Sequence, residues 1–412
     1  MRMNAYIAGV GMTGFGKHLD KTLKSLAALA IDAALRDAGI GKQQLQAAWM
    51  GNAAAGVVTG QEMIRGEVVL RGMGIGKIPV VNVENACASS STAFQQACAM
   101  VSAGYYDVVL ACGFEKLFHE DKARSLGAFS SAIDVEDPEG ALNVVKTLAA
   151  AAGETYDAAG AGANRSVFMD IYALMAKKYM KQSGATAEHF AMVSVKNALH
   201  GSMNPRAQFQ DRLTVEQVLG ARAIVDPLTL PMCSPLGDGA AAVIIVSERK
   251  ARELGLRHAV KVAASALVSG WDFEGEGESV GAFAAQQVYE AAGIGPQELS
   301  CVELHDASAP SELVAYEYLG LCAAGEGPRL IASRATYLGG RIPVNVSGGL
   351  LRKGHPIGAT GCAQIVELTE QLQGRSGQRQ VQGARIALAH NGGGAIGLDA
   401  AATVVTLLQK ED

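Results

Sequence analysis

The sequence predicts an α/β protein built from two similar halves, and two patterns support this prediction. The first is an alternation of strand-like and helical runs, in which the apolar residues 4–11 (NAYIAGVG) precede a helical run at 22–39. Alternating strands and helices are typical of α/β folds. Seven apolar residues of the helical run share one face, as the helical period requires: Leu23, Leu26, Ala27, Ala30, Ile31, Ala34 and Leu35.

The second pattern is an internal repeat. Residues 30–52 (AIDAALRDAGIGKQQLQAAWMGN) resemble residues 283–306 (FAAQQVYEAAGIGPQELSCVELHD). Each copy runs from an Ala-rich helix through Ala-Gly-Ile-Gly to a strand. A second small-residue helix at 358–372 and a strand with a glycine turn at 384–397 complete the later copy. The repeat therefore predicts two related α/β units.

These patterns divide the chain into three parts. We expect one half to comprise residues 1–116 with 226–250, and the other to comprise residues 258–412. Residues 117–225 fit neither half, because they combine two helical runs with the Ala/Gly-rich, flexible-looking stretch 149–166. An insertion over the junction of two halves commonly forms a substrate-binding lid, which is the role that we expect for this segment.

Composition excludes several classes of protein. A formal charge of −5 argues against a general nucleic-acid binder, which needs a basic surface. No long uncharged apolar window predicts a membrane span, and the N-terminus lacks the apolar core of a signal peptide. The seven cysteines show no CxxC spacing and the histidines are dispersed. We therefore expect a cytoplasmic protein with no disulfide framework and no metal site.

Cys87 is the first candidate catalytic residue. It lies in VENACASSST (83–92), between a β-type run and a run of small residues that leads into a helix. A helix N-terminus favours the thiolate, which is the nucleophilic form, and small neighbours leave room for a substrate. The alternative is that Cys87 is a small core residue, which is the commonest role of a single cysteine.

Two histidines follow in other motifs. His355 stands between Gly354 and Pro356 in a turn of SGGLLRKGHPIGATG (347–361), where it could accept the thiol proton or be an ordinary surface histidine. His305, followed by Asp306, ends an apolar strand, the place where α/β proteins gather ligand-binding groups. Its alternative role is a strand-end histidine held by its own aspartate.

A glycine run closes the set of motifs. In LAHNGGGAIG (388–397) three glycines, including Gly392, follow a strand, and His390 precedes them. Successive glycine N–H groups form a concave backbone site that binds an oxyanion. The alternative is a plain glycine turn.

Taken together, NACASSS, HDA, GHPIGATG and the final GGG occur in the order that marks the thiolase superfamily, and the resemblance covers nearly the whole chain. The histidine-aspartate pair resembles the sterol-carrier-protein-type branch. The combination of HDASAPSEL with VNVSGGLLRKGHPIGATG is similar to benzoylsuccinyl-CoA thiolases of anaerobic toluene breakdown. The resemblance implies a thiolase fold with a layered α/β/α/β/α core and an inserted loop domain.

The resemblance also implies roles by position. Cys87 is the expected acyl-accepting nucleophile and His355 the base that activates it. His355 and His305 would form the first oxyanion hole, and the N–H groups of Cys87 and Gly392 the second. Ser234, in CSPLGDGAAA, matches a serine near the pantetheine arm of coenzyme A (CoA). The reaction would cleave a 3-ketoacyl-CoA, with CoA as a substrate rather than a tightly bound cofactor.

One feature departs from the family pattern. Many thiolases carry a second cysteine that exchanges the α-carbon proton, but the two usual positions are Ala307 and His390 here. We therefore expect that His390, or alternatively His305, moves this proton, because an imidazole can donate and accept protons near neutral pH. Otherwise the chain would not run the complete thiolase reaction.

The resemblance further implies a homodimer, and similar bacterial proteins work with a small partner that has an OB fold and a zinc ribbon. Three other functions remain open. GVGMTG (9–14) follows a strand and matches a dinucleotide-binding motif, although no acid ends the next strand to hold a ribose. A condensing enzyme or thiolase-like aldolase is the second, and a non-catalytic scaffold or lipid carrier is the third. Retention of Cys87 argues against an aldolase of this superfamily.

Overall fold

A computed structural model describes residues 1–156, 165–256, 259–272 and 277–411. Residues 157–164 of the Ala/Gly-rich stretch, for which we expected flexibility, lie outside the described residues. The strands within these ranges are β1 Arg2–Met12, β2 Ala47–Gly51, β3 Val80–Val83, β4 Val108–Glu115, β5 Ala223–Val225, β6 Leu228–Thr229, β7 Gly239–Ser247, β8 Val260–Ser269, β9 Cys301–Glu303, β10 Ile386–Gly393 and β11 Ala402–Lys410.

The α-helices surround these strands, and short 3₁₀ turns supplement them. They are α1 Leu23–Ala38, α2 Ala55–Thr59, α3 Arg65–Gly72, α4 Ser89–Ser102, α5 Lys122–Gly127, α6 Pro138–Ala152, α7 Val167–Ser183, α8 Ala187–Ser202, α9 Val215–Leu219, α10 Glu248–Glu253, α11 Val280–Ala292, α12 Ala309–Tyr318, α13 Gly327–Ala332, α14 Gly349–Arg352 and α15 Thr360–Gln373. In the described ranges, no helix is long and apolar enough to cross a bilayer.

Nine strands form one mixed sheet in the order β3-β2-β4-β7-β1-β8-β11-β10-β9. The connectivity repeats on both sides of the β1–β8 pair. In the first half, β1 is antiparallel to β7, β7 is antiparallel to β4, and β4 is parallel to β2. The second half repeats these relations: β8 is antiparallel to β11, β11 is antiparallel to β10, and β10 is parallel to β9. The segment at Val344 corresponds to β3 in the second half, because Val344 forms a parallel bridge with Val302 of β9, as β3 pairs in parallel with β2.

Five layers follow from the way the helices cover this sheet. The apolar face of α1 packs on the first half, and α11 and α12 pack on the second. Between the halves lie α4 and α15, whose apolar side chains join strands of both halves in one core. Because α15 has protein on nearly every side, most of its residues are buried, including the polar Gln364 and Glu367. The α/β class and the layered thiolase-type core are therefore observed, whereas the exact boundaries of the halves stay a prediction.

The segment between β4 and β7 carries α5 to α9 and the small β5–β6 hairpin. Helices α6 and α7 pack against each other, and α7 and α8 contact α12 of the second half. This segment thus lies over the end of the sheet where the motif residues are found.

The close packing of α4 and α15 depends on Gly361. A Cβ at this position would lie 1.9 Å from Ser91 Oγ and 2.5 Å from Ser91 N, so the helices could not keep their separation.

We expect Gly361→Ala to lower the free energy of unfolding by about 1–3 kcal/mol, the usual cost of overpacking a core. Urea denaturation measures this change. Gly72→Ala, at an exposed glycine with no neighbour within 4 Å, is the control and should have a smaller effect; equal effects would contradict the packing argument.

Candidate active site

Cys87 lies in the 3₁₀ turn Ala86–Ala88, which connects β3 to α4. Ala86 adopts a positive φ of 47°, a conformation that non-glycine residues seldom take and that marks a sharp turn here. Ser89 fixes the turn, because its hydroxyl donates to Ala86 O at 2.6 Å and accepts from Asn85 N at 3.0 Å. The thiol is therefore presented at a tightly held strand-to-helix turn, as predicted, and it faces a cavity.

The ionisation of Cys87 differs from the expectation. Burial, together with the nearby carboxylates of Glu115 and Glu84, raises the pKa of the Cys87 thiol to about 12. The prediction that the helix N-terminus eases ionisation is therefore wrong, because desolvation and two negative charges outweigh the favourable helix end. The thiol is protonated at neutral pH, and a base is needed to remove its proton.

His355 is oriented to be that base. Its Nδ1 lies 2.7 Å from Thr360 Oγ1, and the Thr360 hydroxyl is 3.2 Å from Pro356 O. Pro356 O can only accept, so the hydroxyl donates to it and accepts from His355 Nδ1–H. The Nε2 lone pair is thus left to face the site. Burial lowers the pKa of His355 well below its usual value, which keeps the ring neutral.

His305 is held in the same tautomer by Asn391. The Asn391 amide donates from Nδ2 to Cys87 O at 3.1 Å, and its Oδ1 lies 2.6 Å from His305 Nδ1. Because Oδ1 accepts, His305 Nδ1 carries the hydrogen and Nε2 carries the lone pair. Burial lowers the pKa of His305 to about 4. Sequence reasoning missed both Asn391 and Thr360, although each stands inside a motif that it quoted.

The three side chains converge. Cys87 Sγ, one nitrogen of His305 and one of His355 lie within 4.8 Å of one another, and the two rings are perpendicular with centroids 5.3 Å apart. Two histidines are thus not dispersed, contrary to the sequence-based description, because the fold joins motifs far apart in the chain. A thiol and two imidazoles are ligand types that could hold Zn²⁺. The expectation that the chain binds no metal remains a prediction.

His390 occupies a different position beside this group. Its Nδ1 lies 3.4 Å from His305 N, and its Nε2 lies 3.3 Å from the hydroxyl of Tyr318. Burial lowers the pKa of His390 to about 3, and His305 adds to this effect. The ring is neutral near pH 7, so the expectation that His390 readily gains and loses a proton at that pH does not fit its surroundings. It nevertheless lines the same cavity as Cys87.

The glycine run is part of a strand rather than an open turn. Gly392 and Gly393 are the last residues of β10 and pair with β11, and only Gly394 has a left-handed φ, of 65°. Gly393 permits close packing, because a Cβ there would lie 2.1 Å from Asn85 O and 2.6 Å from Ala88 N. The run therefore brings the backbone of Gly392 next to the turn that carries Cys87.

The cavity in front of these residues has a volume of about 590 Å³. Its walls are mostly apolar and come from both halves and from the central segment. Ser234 lines it, with its N–H bonded to Ala307 O at 3.0 Å, and the exposed Arg222 lines it too. The larger apolar side chains around it include Phe118, Phe129, Phe168, Met169, Ile171 and Leu398.

Comparisons with known proteins agree with this geometry. The family described as thiolase, N-terminal domain, matches residues 5–249, and the thiolase C-terminal domain-like family matches residues 278–407. The chain belongs to the thiolase family. The resemblance stated from the motifs is thereby confirmed.

Several individual thiolase relatives are similar over nearly the whole chain. Acetyl-CoA acetyltransferase of Methanothermobacter thermautotrophicus is 38% identical over 94% of this chain and 96% of its own length. Benzoylsuccinyl-CoA thiolase subunit BbsB of Thauera aromatica is 36% identical over 96% of both chains. Sterol carrier protein 2 of Bos taurus is 35% identical over 99% of this chain and 72% of its own.

Two solved structures extend the comparison. The Ltp2-ChsH2(DUF35) aldolase has a TM-score of 0.76 and 27% identity, and the match covers 98% of this chain and 97% of that one. Human mitochondrial 3-ketoacyl-CoA thiolase in complex with CoA has a TM-score of 0.70 and 17% identity, and the match covers 100% of this chain and 98% of that one. The second similarity shows that the two proteins share the fold.

Glu115 is a further residue that holds the backbone around the site in place. Glu115, at the end of β4, is completely buried and accepts from Gly358 N at 3.0 Å, Ala54 N at 3.1 Å and Ala53 N at 3.2 Å. Burial raises the pKa of Glu115 to about 6, while these N–H groups oppose the rise. It is therefore ionised above that pH. Its carboxylate ties the turn after His355 to the end of β2.

Because Glu115 raises the pKa of Cys87, removing its charge should lower that pKa. We expect Glu115→Gln to speed alkylation of Cys87 by iodoacetamide at neutral pH, since only the thiolate reacts. Peptide mapping by mass spectrometry measures the rate at Cys87.

Glu115→Asp is the matched control for that change. It keeps the charge while shortening the side chain, so it separates charge from altered access to the thiol. Alkylation of Glu115→Gln at the wild-type rate, or equal acceleration in both variants, would contradict the electrostatic explanation.

Proposed function

We propose that this CoA-dependent thiolase cleaves a 3-ketoacyl-CoA through an acyl intermediate on Cys87. The observation that supports this most strongly is the convergence of Cys87 with His305 and His355, both of which turn an Nε2 lone pair toward the site. A protonated thiol beside a neutral, oriented imidazole is the arrangement that nucleophilic catalysis requires.

The proposed reaction begins when His355 Nε2 takes the proton of Cys87. The thiolate attacks the 3-keto carbon, the Cα–Cβ bond breaks, and the acyl group stays on the sulfur. The departing half is the enolate of an acyl-CoA, which must receive a proton at carbon. Free CoA then removes the acyl group from Cys87. Negative charge develops on two oxygens in turn, so fixed donors at two places stabilise the transition states.

The donors that we assign to those places follow the local geometry. His355 becomes a donor at Nε2 once it holds the thiol proton, so it suits the first oxyanion hole. His305 presents a lone pair at Nε2, so it serves this hole through a water that donates one hydrogen to His305 Nε2 and the other to the oxyanion. We propose the N–H groups of Cys87 and Gly392 for the second hole, because both residues line the cavity and Gly393 packs closely against the turn that carries Cys87.

CoA is proposed as a substrate that enters along Ser234. This residue lies on the cavity wall between the central segment and the motif containing Ala307. Arg222 is exposed and also lines the cavity, so its guanidinium is placed to meet a phosphate of an entering CoA. No tightly bound cofactor is part of this proposal.

The acyl group is proposed to be bulky, and an aromatic substrate such as benzoylsuccinyl-CoA is our leading example. The cavity is larger than a short acyl chain requires, and aromatic side chains including Phe118, Phe129 and Phe168 surround it. Similarity to the BbsB subunit supports a role in aromatic degradation, although an acetyl-CoA acetyltransferase is about as similar.

We also propose a homodimer. Strand β3 is an edge of the sheet, and its residue Val81 is 42% exposed. Met63 and Ile64 are 77% and 60% exposed, and Gly66 N donates to Asn82 Oδ1, which places this apolar segment beside the strand. An uncovered strand edge with exposed apolar side chains is a surface that another chain commonly covers.

Other features of the assembly are proposals as well. The similarity to the Ltp2-ChsH2(DUF35) aldolase supports a partner subunit, and we propose that it is the small protein with an OB fold and a zinc ribbon that the sequence resemblance implies. All seven cysteines are free thiols, which supports a reducing cytoplasm. The family matches to 5–249 and 278–407 support halves of 1–116 with 226–250 and of 258–412, with residues 117–225 as the inserted domain.

The aldolase similarity keeps one alternative open, a retro-aldol cleavage that needs no acyl-enzyme. The oriented Cys87 site favours the thiolase.

Cys87→Ala should therefore lower the rate of thiolysis about 10⁴-fold or more, as is usual when a nucleophile is lost, while the fold stays intact. Circular dichroism and CoA-dependent cleavage of acetoacetyl-CoA measure the two properties. Cys87→Ala that still cleaves acetoacetyl-CoA at a substantial rate would contradict the acyl-Cys87 reaction, whereas cleavage of a 3-hydroxyacyl-CoA by the wild type and by Cys87→Ala alike would favour the aldolase reaction.

A further inference from the structure

The cavity contains a phenol near the place where the family's second thiol is missing. Tyr318 is the last residue of α12 and lines the cavity together with Cys87 and His390. The Tyr318 and His390 rings meet edge to face with centroids 5.3 Å apart. Gly281 makes room for the phenol, because a Cβ there would lie 2.8 Å from the Tyr318 ring. The ring is thus held in place by packing from two sides.

His390 donates the hydrogen bond that joins it to Tyr318. Its Nδ1 faces the backbone N–H of His305 at 3.4 Å, so Nδ1 carries the lone pair and Nε2 carries the hydrogen. The Tyr318 oxygen, 3.3 Å from Nε2, therefore accepts. The phenolic hydrogen is left for another acceptor, and the cavity that Tyr318 lines is where such an acceptor would bind.

The two groups differ in their ability to act as acids. Burial lowers the pKa of His390 to about 3, so no imidazolium is present at neutral pH, and a neutral imidazole gives up its N–H less readily than a phenol gives up its O–H. Burial also raises the pKa of Tyr318, so the phenol keeps its hydrogen until a strong base meets it. The carbon of a thioester enolate is such a base.

We propose that Tyr318 is the acid that protonates the enolate carbon after cleavage, with His390 as the hydrogen-bond donor to the phenolate that forms. The proposal rests on the proposed acyl-Cys87 reaction. It explains how a chain with Ala307 and His390 at the usual cysteine positions can complete that reaction.

The protons balance over the two half-reactions. In the first, His355 receives the Cys87 proton, the Cα–Cβ bond breaks, and a new C–H bond forms with the Tyr318 hydrogen. Before CoA reacts, His355 returns this proton to the Tyr318 phenolate. In the second half-reaction, His355 takes the proton of the CoA thiol, the CoA thiolate takes the acyl group, and His355 passes the proton to the sulfur of Cys87, so Tyr318 has no part in the acyl transfer. Nothing is oxidised or reduced.

The test uses acetyl-CoA and the variant Tyr318→Phe. Acylation of Cys87 by acetyl-CoA needs no proton transfer at carbon, so the variant should keep it. Exchange of the acetyl hydrogens in deuterated water requires that transfer and should fall about 10²-fold or more. Mass spectrometry follows both the acyl-enzyme and the deuterium content of acetyl-CoA, and retained acylation shows that the variant is folded.

Tyr289→Phe is the matched control. Its hydroxyl donates to Leu319 O at 2.8 Å, one residue beyond Tyr318 and outside the cavity, so this variant should exchange like the wild type. His390→Ala should lower exchange, but adding it to Tyr318→Phe should cause little further loss, because the two act in one step.

Exchange at the wild-type rate in Tyr318→Phe would overturn the proposal. Loss of exchange in His305→Ala alone would then assign the proton step to His305. A wild-type protein that is not acylated at Cys87 would instead refute the proposed function, so the two failures are distinguishable.

Discussion

The whole site depends on where one side-chain amide points. Asn391 donates to the carbonyl of Cys87 and accepts from His305 Nδ1, so it fixes the nucleophile turn and the tautomer of a histidine from another motif. Thr360 fixes the tautomer of His355 in the same way, because its hydroxyl accepts from His355 Nδ1. Both rings therefore turn lone pairs toward one thiol. Burial keeps them neutral, and a neutral base next to a protonated thiol is ready to react only when substrate arrives.

Two buried carboxyl groups support the segments that carry His305 and His355. Glu303, completely buried, accepts from Ser347 N at 3.0 Å and pairs with Lys353 at 3.2 Å, next to His355 in the chain. Asp306, beside His305, accepts from Leu350 N at 2.7 Å, and burial raises the pKa of Asp306 well above its usual value. Burying an ion pair such as that of Glu303 with Lys353 is costly and need not add stability. Glu303 at the end of β9 and Asp306 three residues later each bond to the loop that carries His355, so the two carboxyl groups position the site.

Sequence patterns predicted much of this, because each motif is a local feature. The repeat indicated the duplicated connectivity, and the small residues around Cys87 and after His355 indicated the two central helices. Three features were not predictable from local patterns. The high pKa of Cys87 comes from its burial and, to a smaller extent, from the carboxylate of Glu115, which is distant in sequence. The glycine run joins β10 because β11 pairs with it. The contact of His390 with Tyr318 depends on how α12 packs, and no motif contains that information.

The central claim is that Cys87 carries the acyl group during turnover. The most direct measurement is mass spectrometry of the wild-type protein after brief incubation with acetoacetyl-CoA in the absence of free CoA, followed by peptide mapping. We expect a mass increase of one acetyl group on the peptide that contains Cys87, and its removal when CoA is added. Turnover without any adduct, or an adduct on a different cysteine that CoA removes, would contradict it.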